Sequence, residues 1–452
     1  MKILIAGDGK VGATLTSKLS CEGHDITLID SNQEVLDSII EKFDVMSVHG
    51  NCASMDVLSE AGVESADLLI AATSADEVNL LCCMTAHGLN PSLHTIARIR
   101  NPEYNEQIHL MRDVFALSLT VNPEKQAALE IERILKYPGF LKRDTFAKGR
   151  VEIVELHVGD KSRLCDVPLY KIQDIVKCQI LVCTVIRDGE VYTPDGEFVL
   201  KKGDRIFVTA PAENLTVLLK NLGIITHKVK HVILAGGGRL GYYLADRLLK
   251  IGISVKIIEQ NYNRCLELSG LLSDANVVHG DASNQAVLES EGIAECDALV
   301  SMTGLDELNM IISLYGKSRG VDQIITKLGR TENTDIINSM LMGSVICPKE
   351  LCCNSIIRYV RAMQNQEGAA VAVHLIADSK AEAIEFTADE NTRFCSTPLK
   401  NIKLRRGVLI VCITRGIKTI IPNGESTFKK GDTVIVVTAG GTVIRQLNDI
   451  FE

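Results

Sequence analysis

A chain of 452 residues with 46% hydrophobic content is too long for one core, so about two to four domains are expected. A net charge of −9, with no lysine- or arginine-dense stretch, argues against nucleic acid as a partner. No apolar run approaches the roughly 20 residues that span a bilayer, and the N-terminus enters an apolar run at once, which predicts no signal peptide and a soluble intracellular protein. The absence of Trp and an aromatic content of 4% point to aliphatic α/β packing. Fourteen cysteines are scattered without a CxxC pair, and the adjacent pairs Cys82-Cys83 and Cys352-Cys353 suit neither ordinary disulfides nor tetrahedral zinc. Reduced thiols acting as small buried hydrophobes are the expectation.

In chain order, residues 3–6 read as one short buried strand. Gly7-Asp8-Gly9-Lys10-Val11-Gly12 follows, and residues 13–19 carry apolar side chains at helical spacing. A second apolar run, 26–29, ends at Asp30, eighteen residues past Gly12. Strand, glycine turn, helix, strand and terminal acid make up a dinucleotide-binding fingerprint. Gly7 permits the tight turn, Gly9 lets backbone approach a pyrophosphate, and Gly12 lets the helix pack on its strand. The helix N-terminus offers free N–H groups to phosphate. Asp30 can accept from both ribose hydroxyls and would repel a 2′-phosphate.

Alternation continues to about residue 120: strands at 45–48, 68–72, 94–98 and 114–119, and helices at 57–61 and 77–86. This predicts a doubly wound parallel sheet. Residues 123–135 read as a helix broken by Pro138-Gly139. From Val151 the pattern changes to strands and turns (151–158, 181–187, 190–192, 205–210), a small antiparallel α+β module of about 75 residues.

The chain then repeats itself. Residues 231–259 restate 2–30, with Gly236, Gly238 and Gly241 in the glycine positions and Glu259 at the acid. His49-Gly50-Asn51 is answered by His279-Gly280-Asp281, residues 73–79 (TSADEVN) by 303–309 (TGLDELN), Arg98 by Lys327, and Lys201-Lys202-Gly203-Asp204 by Lys429-Lys430-Gly431-Asp432. An internal duplication is the economical explanation. The expected fold is α/β: two Rossmann-like doubly wound parallel sheets, each followed by a small α+β domain. Expected boundaries are 1–135, 140–225, 230–362 and 368–452, with a linker at 223–230 and a hinge at 363–368.

In such a sheet, ligands sit at the carboxyl ends of the strands. Lys10 and Arg98 can supply charge to phosphates there. Thr73 can donate a hydroxyl to phosphate or ribose, and Asn51 and Cys52 fall on the adenine side. Each of these also has a plain reading as a turn or helix cap, and Asp76 stands near a helix N-cap. Catalytic apparatus is harder to find: the ten histidines are scattered, and no Tyr-x-x-x-Lys or Ser-His-Asp grouping occurs. A sensor is therefore favoured over the alternative, an NAD-dependent oxidoreductase acting on a small substrate. The helices after Pro123 and Pro348 carry Ile131, Ile134, Ile356 and Ile357 without an obvious partner in their own sheets, which suggests contacts between nucleotide domains.

The combined pattern resembles the TrkA family of peripheral potassium-uptake subunits, built from tandem RCK (KTN) units. The resemblance covers essentially the whole chain and rests on GDGKVG at 7–12, HGN at 49–51, TSADEVN at 73–79, ARIRNP at 97–102 and the duplication. It implies a non-enzymatic cytoplasmic protein, peripheral at the inner face of the cell membrane, that docks on a Trk/Ktr-type potassium transporter and gates uptake. It implies NAD(H) as the ligand, with ATP or ADP as further candidates, and a homo-oligomeric ring of nucleotide domains. Carried over residue by residue, the first site comprises Gly7, Gly9, Lys10, Val11, Gly12, Asp30, Asn51, Cys52, Thr73, Arg98 and Arg100, the last reaching phosphates of its own or a neighbouring unit. The second comprises Gly236, Gly238, Arg239, Gly241, Glu259, Asp281, Ala282, Thr303 and Lys327. Gly329 stands where the first copy has Arg100, so the second site lacks one positive charge, although Arg330 is adjacent.

Overall fold

The computed structural model describes the chain except for residues 8, 111, 137–141, 147–149, 160–161, 212–213, 223–227, 330–342, 364–369, 378–379, 417, 440–443 and 445. The break at Pro138-Gly139, most of the expected linker and hinge, and Arg330 lie outside the described residues.

The first half opens with β1 (Lys2–Ala6), α1 (Lys10–Cys21), β2 (Asp25–Asp30), α2 (Gln33–Ile40), β3 (Met46–His49), α3 (Met55–Glu60), β4 (Leu68–Ala71), α4 (Asp76–Leu89), β5 (His94–Arg98), α5 (Pro102–Leu110), β6 (Leu119–Val121) and α6 (Pro123–Lys136). Its small domain has β7 (Lys142–Phe146), β8 (Val151–His157), α7 (Ile172–Val176), β9 (Leu181–Arg187), β10 (Glu190–Tyr192), β11 (Arg205–Pro211) and α8 (Asn214–Asn221). The second half repeats the course: β12 (His231–Ala235), α9 (Arg239–Lys250), β13 (Ser254–Glu259), α10 (Tyr262–Leu271), β14 (Asn276–His279), α11 (Gln285–Ser290), β15 (Ala298–Ser301), α12 (Asp306–Ser318), β16 (Gln323–Lys327), β17 (Ser344–Ile346) and α13 (Pro348–Met363). It ends with β18 (Ala370–Ile376), β19 (Ala381–Thr387), β20 (Val408–Arg415), β21 (Lys418–Ile420) and β22 (Thr433–Ala439).

Both large sheets are parallel, in the orders β3-β2-β1-β4-β5-β6 and β14-β13-β12-β15-β16-β17. The order reverses between β1 and β4, and between β12 and β15, which opens a crevice at the carboxyl ends of those strands. Strands buried on both faces must be apolar throughout. Accordingly Ile3, Leu4, Ile5 and Ala6 of β1 are all at most 2% exposed. The small sheets are antiparallel and share one order, β10-β9-β11-β8-β7 and β21-β20-β22-β19-β18.

Three readings need correction. The strand expected at 114–119 is β6, Leu119–Val121; the residues before it form a turn with Ala116 at φ +52°, held by Arg112 donating to the carbonyl of Leu117. Helices α2, α5, α7 and α8 and strand β7 are additions to the elements read from sequence; α5 has a weak apolar stripe and β7 a mostly polar sequence, Lys-Arg-Asp-Thr-Phe. Ile131, Ile134, Ile356 and Ile357 are all under 5% exposed within a single chain. These apolar positions are therefore covered within the chain itself.

By contact, the chain forms two compact units: Met1–Glu132 with Lys230–Ile357, and Arg133–Val229 with Arg358–Glu452. In the first unit the two Rossmann-like domains meet directly. Glu132 of α6 pairs with Arg247 of α9, Asn354 of α13 accepts from Lys18 Nζ of α1 (3.2 Å), and the Cys353 thiol donates to the carbonyl of Val11 (3.7 Å). In the second unit the two small sheets share a core in which Phe146, Ile153, Cys183 and Phe207 pack with Ala383, Cys412, Ile435 and Val437. All fourteen cysteines are free, and burial pushes the thiols of Cys83, Cys183, Cys353 and Cys412 up to about 12.

The repeated Lys-Lys-Gly-Asp turns have a structural meaning. Asp204 is fully buried and takes Arg187 in a fork, Nε to Oδ1 and Nη2 to Oδ2 at 2.8 Å each, while Oδ2 also accepts from Lys201 N. Asp432 repeats this with Arg415 and Lys429 N. Asp204→Ala removes a fully buried carboxylate that ties the partly exposed Arg187 to the Lys201 turn, and is expected to lower stability by about 1–3 kcal/mol, read as a shift in the urea midpoint. Removing both partners, as Arg187→Met with Asp204→Leu, is expected to lower it less; an equal or larger loss contradicts this account.

Candidate functional site

The glycine turns divide by what a side chain would meet. Gly7 sits at φ +91°, and a Cβ there would come 2.8 Å from Thr73 Cα; Gly236, at φ +119°, has Met302 O at 3.0 Å. A Cβ on Gly241 would fall 2.5 Å from Gly236 O, so α9 can pack on β12 only if that residue is glycine. Gly12 is likewise buried, in the first turn of α1. Gly9 and Gly238 are different. Each caps its helix with extended backbone, and nothing lies within 4 Å of a Cβ built there. Open space in front of a helix N-terminus is the geometry that admits an anion. Val11 and Leu240 face inward at 3% and 6% exposure, and Arg239 is exposed at the start of α9. The Lys10 side chain lies outside the described residues.

The acids end β2 and β13. Asp30 Oδ1 accepts from Asn32 N (2.9 Å). Glu259 is longer: Oε1 accepts from Asn261 N (2.8 Å), and Oε2 reaches back to Gly237 N (2.7 Å). Arg264 Nε donates to the Gly237 carbonyl at 2.8 Å, so the second glycine turn is held from both sides. Asn51 and Asp281 are exposed, and their side-chain oxygens accept from Ala53 N (3.0 Å) and Ser283 N (2.9 Å), shaping the turns after β3 and β14. Cys52 and Ala282 lie beneath, at 5% and 6% exposure. A hydrogen bond from the Cys82 thiol holds the Cys52 thiol below its usual pKa. His49 and His279 each donate Nε2–H to a carbonyl just past the acid, Ser31 O (3.0 Å) and Gln260 O (3.1 Å).

The Thr73 and Thr303 hydroxyls are both engaged by the strand-end framework. The Thr73 hydroxyl donates to Asn79 Oδ1 (2.7 Å), which also takes Thr73 N (2.8 Å), and Asn79 Nδ2 donates to Arg98 O (2.8 Å). Thr303, Asn309 and Lys327 repeat this at 2.8, 2.7 and 3.0 Å. Arg98 Nη2 and Lys327 Nζ in turn donate to the carbonyls of Thr73 and Thr303. Asp76 Oδ2 accepts from the N–H groups of Arg100 (2.8 Å) and Asn101 (2.7 Å), and Asp306 from Gly329 N (2.8 Å). The Asp and Asn of the repeated motif are thus buried struts joining β4 to β5 and β15 to β16; their recurrence at fixed spacing was the available signal. Arg100 Nη2 donates to Ser74 O at 2.6 Å. Burial, then the nearby Arg100, holds Arg98 below the ordinary guanidinium value.

A cleft of about 650 Å³ opens at the carboxyl ends of the second large sheet. It brings together Gly236, Gly238, Arg239, Glu259, Asp281, Ala282, Thr303 and Lys327, leaving only Gly241 of the expected second site behind its wall. Val11, Arg98, Arg100, Pro123 and Glu124 of the first half border the same cleft. Fold and cleft define the class: a tandem pair of Rossmann-like domains, each with a glycine turn, a strand-end acid and a helix N-terminus open to an anion.

The comparisons with known proteins narrow this class. The TrkA-N domain family model matches residues 3–119 and 232–348, and the TrkA-C domain model matches 153–223 and 383–451. The chain is 31% identical over 455 residues to the Trk system potassium uptake protein TrkA homolog of Archaeoglobus fulgidus, covering 100% of both. It is 30% identical over 444 residues to TrkA homolog 1 of Methanosarcina mazei, covering 96% of this chain and 97% of that protein. The crystal structure of the GsuK RCK domain superposes with a TM-score of 0.62 at 19% identity, covering 97% of this chain and 92% of that one, a likeness of fold. The chain belongs to the TrkA family of Trk-system potassium uptake proteins.

Among the described residues, no helix is long and apolar enough to cross a membrane. The contrast between glycines gives a test of packing. Gly241→Ala is expected to cost about 1–3 kcal/mol through its clash with Gly236 O, whereas Gly238→Ala leaves the thermal midpoint unchanged. Equal midpoints for the two variants contradict the assignment.

Proposed function

We propose that the chain is a cytosolic regulatory subunit that binds NAD(H), with ATP or ADP as the other candidates, and gates potassium uptake from the cytoplasmic face of a membrane transporter. The observation that carries this reading is the second-half cleft, where the open N-terminus of α9 and the glycine turn face a volume lined by Arg239, Lys327 and Glu259. A pyrophosphate fits the helix N-terminus, and a ribose fits the acid at the end of β13. The first half offers the same parts in Gly9, the N-terminus of α1 and Asp30, with Asn51 and Cys52 beside the adenine. The homologues named as potassium uptake proteins support the physiological role, and a solved structure titled "GsuK channel bound to NAD" supports the ligand class by likeness of fold.

A purely regulatory role is favoured over a dehydrogenase. No histidine, tyrosine, cysteine or serine among the described residues borders the cleft, the Thr303 hydroxyl is committed to Asn309, and the titratable groups that do border it include Lys327 and Glu259, which this reading assigns to phosphate and ribose. Gating then works by differential affinity: a nucleotide shifts the protein between two shapes only as far as it binds one better than the other. A homo-oligomeric ring of nucleotide domains would carry that shift to the transporter, with the small domains at 140–225 and 368–452 as assembly elements.

Calorimetric titration tests the ligand. NAD(H) is expected to bind at least about tenfold more tightly than NADP(H), about 1.4 kcal/mol, because a 2′-phosphate faces Asp30 or Glu259. Equal affinities would place the acids away from the ribose. Gly9→Ala and Gly238→Ala are each expected to remove one binding equivalent per chain; wild-type stoichiometry in both sinks the fingerprint reading. Co-purification with a potassium transporter from membranes, and no turnover of NAD(H) with a panel of small substrates, are the expected results for the physiological role.

A further inference from the structure

We infer that Arg264 is a positioning residue for the second-half site: from the first turn of α10 it holds the Gly237 carbonyl, which fixes the direction of the Gly238 N–H at the mouth of the cleft. The inference rests on the nucleotide reading above and adds which side chain sets one half's affinity for phosphate-bearing ligands.

The glycine turn is braced at its middle residue. On one side, Gly236 N donates to Ile258 O at 2.9 Å; on the other, Gly238 O accepts from Tyr242 N at 3.0 Å. Gly237, between them, has both backbone groups taken by side chains: its N–H by Glu259 Oε2 (2.7 Å) and its carbonyl by Arg264 Nε (2.8 Å). The residue is buried, and a Cβ there would fall 2.5 Å from Leu268 Cδ1 of α10. Arg264 is itself anchored, with its N–H on Asn261 Oδ1 (3.1 Å) and its Nη1 on Glu267 (2.5 Å).

The carbonyl of Gly237 and the N–H of Gly238 belong to one planar trans peptide unit, so they point in opposite directions. Holding the carbonyl toward α10 therefore turns the Gly238 N–H away from α10. Gly238 is exposed, lines the cleft and caps α9, where free N–H groups meet an anion. Without the guanidinium this buried carbonyl has no donor, and flanking glycines leave the peptide free to rotate toward water. A ligand would then have to reorder the turn on binding, which lowers affinity. Glu259 does not compete with a ribose in this arrangement. A carboxylate has about four acceptor sites, of which Asn261 N and Gly237 N use two. The duplication confines the brace to one half: at the places of Gly237 and Arg264 the first copy has Asp8 and Val35, and valine has no donor to offer.

Hydrogen–deuterium exchange of the ligand-free chain and calorimetric titration with ADP test this. Arg264→Met keeps the aliphatic stem on α10 and removes the donor. It is expected to speed exchange in peptides spanning 234–241 while leaving the first glycine turn unchanged. In the Gly9→Ala chain, where the second-half site alone is titrated, it is expected to weaken ADP about three- to tenfold. Gly9→Val replaces that background if two equivalents still bind. Adenosine brings ribose and base without a phosphate; measured by competition with ADP, it is expected to weaken less than twofold. Arg264→Lys, which restores a donor, is expected to recover part of the ADP affinity. Unchanged exchange at 234–241, ADP affinity within twofold of the parent chain, or equal losses for adenosine and ADP would overturn the positioning role. A wild-type chain that binds neither ADP nor NAD(H) would instead overturn the nucleotide reading, and this inference with it.

Discussion

One buried asparagine in each half holds the ligand-facing edge of its parallel sheet together. The carboxyl ends of β4 and β5 must stop hydrogen bonding to each other so that a crevice can open, yet a buried backbone group without a partner is costly. Asn79 resolves this by accepting from Thr73 N and donating to Arg98 O across the gap, and Asn309 does the same between Thr303 and Lys327. The side-chain amide substitutes for the rung the ladder has lost. Around it, Asp76 and Asp306 catch the N–H groups that follow β5 and β16, and Arg98 and Lys327 close back onto the freed carbonyls. Position of the cations, width of the crevice and direction of the chain leaving the strand all follow from this arrangement.

That network also explains what sequence could and could not reveal. The parallel sheets were legible because β1, β4, β12 and β15 are runs of four or five almost wholly apolar residues, a pattern that few environments other than a two-sided interior tolerate. Gly7, Gly236 and Gly241 were legible because their backbone geometry or close packing leaves no room for a Cβ. The Thr, Asp and Asn of the TSADEVN motif were legible as a motif but not as a role. Polar residues at a strand end suit a ligand and a missing rung equally well, and only coordinates show which donor meets which acceptor. Asp204 and Asp432 show the same limit: the turn they close is written in Lys-Lys-Gly-Asp, but the partner arginine lies seventeen residues upstream on another strand.

Helices α6 and α13 mark the boundary of what local pattern can say. Their apolar stripes read as unpartnered because each half was considered alone, and a stripe on a helix carries no record of which sheet covers it. In the structure the two Rossmann-like domains form one compact unit, and the ends of these helices reach across the repeat at Glu132–Arg247 and Asn354–Lys18. The apolar stripes that read as unpartnered are covered within the same chain.

Fusion of the two copies has a consequence that a dimer of single copies could not show. In a two-fold dimer of identical chains, every contact is made twice, so a residue that improves one site must alter the other equally. Covalent duplication removes that constraint while keeping the geometry. Tyr243 donates to the carbonyl of Arg100 and accepts from Asn122, whereas Thr14, Gly329 and Cys347 stand at the corresponding sequence positions of the other copy. At the acids, one half has Asp30 and the other the longer Glu259, which accepts from Gly237 N of its own glycine turn. Two halves built on one plan can thus differ in charge at equivalent positions, and a ligand can then bind them unequally. Unequal binding is the physical requirement for a protein whose state depends on the ratio of two nucleotides and not merely on the presence of one.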